Sequence, residues 1–397
     1  MHASLIDGTF VESLLTSKWT DCTERQEHLD GQDSTSLITL WPNPERRHAH
    51  TPNMKATWTA INQNELLQRS SHNVATLGSK IYVFGGELKP RQPRDNDIFI
   101  LDTGSQESEP TIATASMPMD SRRPSSRVGS AVAKLGHRLY FFSGRGGEAM
   151  APVDEQGALW MYDTIERSWT LQSLPTAKAH PEARSYHAMT SNGEDTIYVH
   201  AGCPEKGRLS DLWAYNVRER EWKQLANAPE PPRGGPSIAY ADGKLWRMNG
   251  FDGKQEVGGS IDVYDPQSDT WTSLPFIADG KSGPGPRSVA TLHSIKITGK
   301  TRLFTLFGES DPSSLGHQGA GKMLSDIWMY DVAASTWEQV TADVQAGKAS
   351  PAARGWFDAD VIETKAGEAI AVSGGLGEQN ERLGDTWLLT GFSESAP

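Results

Sequence analysis

Hydrophobic and polar positions alternate in short runs along most of the chain, and the runs recur. Six times an Arg followed by small or polar residues opens an alternating segment: RSSHNVAT from Arg69, RVGSAVAK from Arg127, RSYHAMTS from Arg184, RGGPSIAY from Arg233, RSVATLHS from Arg287 and RGWFDADV from Arg354. Each is followed by a β-branched and aromatic run that ends in Gly, as in IYVFGG, LYFFSG and IYVHAG. A variable polar loop comes next, and then an aromatic run such as DIFILD, LWMYD, DLWAYN or DIWMYD. In four units a last run carries a Trp: Trp169, Trp222, Trp271 and Trp337. Period-two alternation bounded by turn residues predicts strands. Each unit is therefore read as a blade of four short strands, repeated six times.

The mean period is near that of kelch repeats, which predicts an all-β fold, a six-bladed kelch β-propeller. The sixth unit stops at TWLLTGF without a Trp run, whereas Trp58 in ATWTAI precedes the first unit as an orphan. The strand around Trp58 is thus expected to join the last blade and close the ring, which removes the edges an open sheet would leave. Residues 51–397 are assigned to the propeller. Residues 1–50, with the polar tract HLDGQDSTS and the basic ERRHAH, are expected to form a loosely attached tail.

Charge and cysteine content narrow the function. A formal charge of −12 argues against sequence-independent binding to nucleic acid or to an anionic membrane. Cys22 and Cys203 form no disulfide framework, the N-terminus lacks the pattern of a secretory signal, and no run approaches membrane-spanning length. The expectation is a cytoplasmic protein. No Ser, His, Asp nucleophile motif, phosphate-binding Gly loop or CxxC motif is present.

Two constellations carry candidate chemistry. In a propeller the six opening arginines gather around one axis, which predicts a basic funnel suited to bidentate capture of sulfate, phosphate or carboxylate. The same side chains can instead tie blades through backbone carbonyls. The second constellation is the loop GESDPSSLGHQGAGKM, residues 308–323, which places Glu309, Asp311 and His317 close together. A carboxylate and an imidazole suit a divalent transition metal, while Asp, Pro, Ser and Gly also shape ordinary turns. His72 and His187, on inner strands, are expected to be structural, and Glu87 is placed on a rim loop.

The stretches RSSHNVATLGSKIYVFGGELKPRQPRDNDIFILD, GRLSDLWAYN, GESDPSSLGHQGAGKM and ARGW resemble the kelch proteins of the plant nitrile-specifier and epithiospecifier family, from about residue 55 to the end. The resemblance implies redirection of glucosinolate-aglycone breakdown by a non-redox lyase with ferrous iron, Fe(II), as cofactor. It implies iron ligands at Glu309, at the position of Ser313, where the family has Asp, and at His317; Asp311 stands two residues earlier as a substitute. It also implies that Arg127 and Arg184 hold the sulfate leaving group and that Trp356 is a pocket aromatic. Three functions compete: a specifier-like lyase acting on a small anionic metabolite, a relative in specialised metabolism with another substrate, and an interaction module that grips an acidic peptide at the arginine-lined mouth. Fold alone cannot choose among them.

Overall fold

The computed structural model describes residues 54–104, 112–115, 122–174, 178–316, 319–344 and 348–394, and the expected tail over residues 1–50 lies outside them. The described residues form six sheets of four or five strands, antiparallel except for one outer pair, the blades of a propeller. Blade 1 starts at Ser70–Leu77, blade 2 at Ala131–Leu135, blade 3 at Ala188–Ser191, blade 4 at Ser237–Ala241, blade 5 at Thr291–Ile297 and blade 6 at Asp358–Thr364. These are the innermost strands and they line the channel. No helix among the described residues is long and apolar enough to cross a membrane.

The aromatic repeats fill the blade interiors in register. Tyr162 pairs with Trp169, Tyr215 with Trp222, Tyr264 with Trp271 and Tyr330 with Trp337, across the third and fourth strands of blades 2 to 5. The ring centroids in these pairs are 5.0–5.2 Å apart, a tilted aromatic contact that adds to the burial of area.

Blade 6 lacks its own Trp strand, and the N-terminal strand Met54–Gln63 supplies it. It pairs antiparallel with Asp385–Glu394 and places Trp58 opposite Leu389. The Trp58 indole stacks on Phe307 of blade 5 at 5.7 Å and meets Trp387 of blade 6 edge on at 6.4 Å. The first and last blades are thus closed as the orphan Trp predicts. One strand was not foreseen: Thr341–Val344, leaving blade 5, pairs parallel with the outer side of Met54–Gln63. It covers an edge that a ten-residue strand would otherwise expose.

Two rings of backbone hydrogen bonds join neighbouring blades. In the first, the N–H of Gly86, Gly144, Gly202, Gly250, Gly308 and Gly375 donates to the carbonyl of Arg127, Arg184, Arg233, Arg287, Arg354 and Arg69 respectively, at 2.8–2.9 Å. Gly86 shows why glycine is needed: its φ is +84° and a Cβ would stand 2.6 Å from His72 Cβ. The second ring forms a collar around the axis. Gly129 N–H donates to Ser71 carbonyl, Tyr186 to Gly129, Gly235 to Tyr186, Val289 to Gly235, Trp356 to Val289 and Ser71 to Trp356, at 2.7–3.2 Å. All six residues are left-handed, with φ between +47° and +60°, a conformation costly for Val, Tyr and Trp and held here by the closed hydrogen-bond ring.

Candidate functional site at the channel mouth

The collar separates two cavities. Below it lies the channel, about 700 Å³; above it is a mouth cavity of about 250 Å³. Blades 3 and 6 are opposite in a ring of six, yet their collar residues Tyr186 and Trp356 meet, ring centroids 5.2 Å apart and edge to face. These two side chains line both cavities and form a bar between them. Burial pushes the Tyr186 phenol up, with the nearby Glu87 carboxylate adding to the shift, so its hydroxyl remains protonated at neutral pH.

The opening arginines are not a basic funnel. Arg127 is 1% exposed and pairs with Glu155 at 2.9 Å; Arg184 is fully buried and pairs with Asp211 at 2.6 Å. Each also donates to a carbonyl of its own blade, Ser143 for Arg127 and Ala201 for Arg184. Arg69, Arg287 and Arg354 repeat the arrangement with Asp95, Asp326 and Asp385. Burial pushes the Asp385 carboxyl up, but Arg354 and the Trp387 indole N–H outweigh it and leave the pKa below the usual range. The expectation that Arg127 and Arg184 face an anionic ligand is therefore corrected: these groups tie the second and third strands of a blade to its entry, and their donors are occupied.

Three other arginines line the mouth without a carboxylate within ion-pair distance among the described residues: Arg91, which is exposed, Arg145 and Arg208. Arg145 donates from Nε to Ser185 Oγ at 2.7 Å, from Nη1 to Met150 carbonyl at 3.1 Å and from Nη2 to Pro204 carbonyl at 2.7 Å. Arg208 lies over the Phe251 ring at 4.9 Å, and its buried Nε has no hydrogen-bond partner. Both belong to the mouth cavity, as do Tyr186 and Trp356. Across the cavity Glu87 and Arg382 form a buried pair at 2.7 Å that joins blades 1 and 6. Cys203 also lines the mouth; burial pushes its thiol up, which disfavours a thiolate nucleophile.

Behind Trp356, which lines the mouth, stand two carboxylates from blades 5 and 4, Glu309 and Glu256. Glu309 is 5% exposed, and its oxygens accept from Gly321 N–H at 2.6 Å and from Trp356 Nε1–H at 3.2 Å. Burial raises the Glu309 pKa. Glu256 is nearly buried with one oxygen unpartnered; burial, together with Glu309, Asp311 and Asp252, pushes its carboxyl up to about 7.

Of the iron ligands implied by resemblance, Glu309 faces Trp356, the Ser313 hydroxyl accepts from Leu315 N–H at 3.2 Å, Asp311 is exposed, and His317 lies outside the described residues. Among the described residues no three His, Cys, Asp or Glu side chains converge on one point. One buried carboxylate with both oxygens accepting hydrogen bonds does not make a ferrous site, and the described donors do not fit the ion.

Arg145, Arg208, Tyr186 and Glu256 were missed by repeat reasoning because they do not recur from blade to blade. That irregularity was itself the available signal.

Comparison with known proteins agrees with this architecture. A family profile described as the KLHDC2/KLHL20/DRC7 Kelch-repeats domain matches residues 71–308. The chain is 29% identical over 81% of its length to an N-(sulfonatooxy)prop-2-enimidothioate sulfolyase of Thlaspi arvense, spanning 92% of that protein. It is 25% identical over 68% of its length to the Kelch-like protein terF of Aspergillus terreus, of which it spans 55%. A solved structure described as "Structure of YjhT" superposes with a TM-score of 0.61 at 14% identity, covering 83% of this chain and 96% of that one, which bears on fold alone. With six blades, the two interblade rings and a profile match over more than half its length, the chain belongs to the kelch-repeat family.

Proposed function

We propose that the protein is a specifier-like lyase that acts at the channel mouth on a small metabolite carrying a sulfate-type leaving group. The observation that carries this reading is the pair Arg145 and Arg208, two guanidinium groups without carboxylate partners on the wall of a 250 Å³ cavity floored by Tyr186 and Trp356. Guanidinium groups match oxyanion geometry and interact most strongly with a group whose charge grows as its bond breaks. In the proposed step the N–O bond to sulfate breaks heterolytically and its electron pair leaves with the oxyanion. The electron-deficient nitrogen is satisfied within the substrate as the carbon substituent migrates with its bonding pair and the anionic sulfur's lone pair moves onto carbon, so no oxidant or reductant is needed. Arg145 and Arg208 stabilise the developing dianion, and the aromatic bar holds the rest of the substrate out of the channel.

Support from relatives is the similarity to the N-(sulfonatooxy)prop-2-enimidothioate sulfolyase of Thlaspi arvense, which this chain matches over most of both lengths. Ferrous iron is not used in any step. The direct test is release of inorganic sulfate from N-(sulfonatooxy)prop-2-enimidothioate by the wild type and by Arg145→Gln and Arg208→Gln. Loss of release in both variants, with melting temperature retained, supports the reading; equal release in all three, or none in the wild type, argues against it.

The same arginine pair favours a second reading, an interaction module that takes an acidic peptide side chain. An acidic peptide that binds the wild type and is not displaced by sulfate would support that reading instead.

A further inference from the structure

Six arginines open six blades, and five of them hold a carboxylate of their own blade. Arg233 of blade 4 does not. Register identifies what changed. In blades 3, 5 and 6 the carboxylate stands four residues before the residue paired with the blade Trp: Asp211 before Tyr215, Asp326 before Tyr330 and Asp385 before Leu389. In blade 4 Tyr264 pairs with Trp271, so the equivalent position is Ser260.

Arg233 is nevertheless 2% exposed. Its Nε donates to Pro231 carbonyl and its Nη1 to Asn249 carbonyl, both at 3.1 Å, which are the backbone contacts of the other openers. Its Nη2, the atom that meets the second carboxylate oxygen in Arg184, Arg287 and Arg354, has no protein partner among the described residues and reaches solvent. The buried carboxylate nearby, Asp262, is engaged by Arg247 Nε at 3.0 Å and by Ser273 Oγ at 2.6 Å. Arg247 is itself fully buried, with Nη1 unpartnered. Asp262 is thus taken by Arg247, and Arg233 feels Asp262, Asp252 and Glu230 only through space, with none of them within ion-pair distance. Burial, with the charge of Arg247, depresses the Arg233 pKa to about 9, in the direction expected of a cation short of counter-charge.

We infer that blade 4 binds a small carboxylate at Arg233, beside Ser260, in the place where the other blades supply their own. The geometry of five worked examples in the same molecule sets the ligand chemistry: a planar carboxylate that accepts from the guanidinium edge. The carboxylate is either a free small acid or the end of an acidic partner side chain. The bound anion acts as a lock on blade 4, since a ligand that binds the folded state raises stability with its concentration.

The test is thermal unfolding in sodium formate, and separately in a blocked acidic peptide, against sodium chloride at constant ionic strength, with wild type, Ser260→Asp and Arg233→Gln. The expected result is a wild-type melting temperature that rises with formate or with the peptide. Ser260→Asp should melt higher than wild type in chloride and lose the response, and Arg233→Gln should weaken the apparent affinity by about tenfold or more. A response to formate assigns a free acid; a response to the peptide alone assigns a partner side chain. The inference is overturned if neither ligand raises the wild-type melting temperature, or if the rise persists unchanged in both variants.

Discussion

Tyr186 and Trp356 belong to opposite blades and meet edge to face at 5.2 Å, closing the channel beneath the mouth. Neighbouring collar positions make room for this: a Cβ on Gly129 would stand 2.7 Å from the Tyr186 ring. Replacing Tyr186 with Ala should join the mouth and channel cavities. Sulfate esters too bulky for the wild type should then compete for the site, while binding of free sulfate, which rests on the arginines, changes little. Competition binding with esters of increasing bulk checks this, and an unchanged size limit would remove the aromatic bar as the floor.

Closure gives a stability prediction. Trp58 is 4% exposed and packs between blades 5 and 6. Trp58→Ala should cost about 3–5 kcal/mol, the usual range for emptying a buried aromatic position, and removal of residues 54–63 should unfold blade 6. Urea denaturation measures both; a small loss for either would contradict closure by this strand.

The two sets of arginines should separate cleanly in mutagenesis. Arg184→Ala leaves Asp211 in place without its ion-pair partner, and breaking such a buried pair costs about 3–5 kcal/mol. Its effect should appear in denaturation midpoints. Arg145→Gln and Arg208→Gln should leave the midpoint near wild type and appear in ligand binding, with about 1.5–3 kcal/mol lost per charge-assisted contact.

This contrast also explains what could be read from the chain alone. Blade number, strand order and the closing role of Trp58 were legible because they rest on spacing, which repeats. The parallel strand Thr341–Val344 was not, because its pairing depends on where blade 5 ends in space. The arginine ring was read through the same periodicity, but Arg127 and Arg184 recur because five of the six blades use the opening Arg as an ion-pair tie, whereas Arg145 and Arg208 break the pattern. Trp356 was singled out through the family resemblance of ARGW, not through the repeat. The unpaired Arg233 became visible only once register showed Ser260 standing where other blades have Asp.

Asp358 gives a pH prediction. Half-buried on the inner strand of blade 6, where it lines the channel, it has its pKa pushed up to about 7, chiefly by desolvation, with Asp360 adding and with hydrogen bonds from Val74 and Ala359 N–H opposing. In the unfolded chain an Asp ionises near 3.9. Between about pH 4 and 7 the folded state therefore holds the extra proton, and this group makes stability fall as pH rises. Asp358→Asn should remove that component: the difference in unfolding free energy between variant and wild type should grow from about pH 4 to 7 and level off above. A difference independent of pH would contradict the assignment.

The loop of residues 308–323 can be tested by completing it. Ser313→Asp adds an anionic oxygen four residues after Glu309 in the same loop, and anionic oxygen is a stronger ferrous donor than a neutral hydroxyl. Anaerobic ferrous titration should show tighter binding in Ser313→Asp than in wild type, and Glu309→Ala should cancel the gain. Equal affinities in all three proteins would show that the loop does not gather metal ligands even when supplied with them.

We propose that Arg145 and Arg208, not the opening arginines, hold an oxyanion at the mouth. Calorimetric titration with inorganic sulfate tests it most directly on wild type, Arg145→Gln, Arg208→Gln and the double variant. Sulfate should bind the wild type, more weakly each single variant, and not measurably the double variant, with melting temperatures in chloride buffer unchanged. Equal sulfate affinity in the wild type and the double variant would contradict the account.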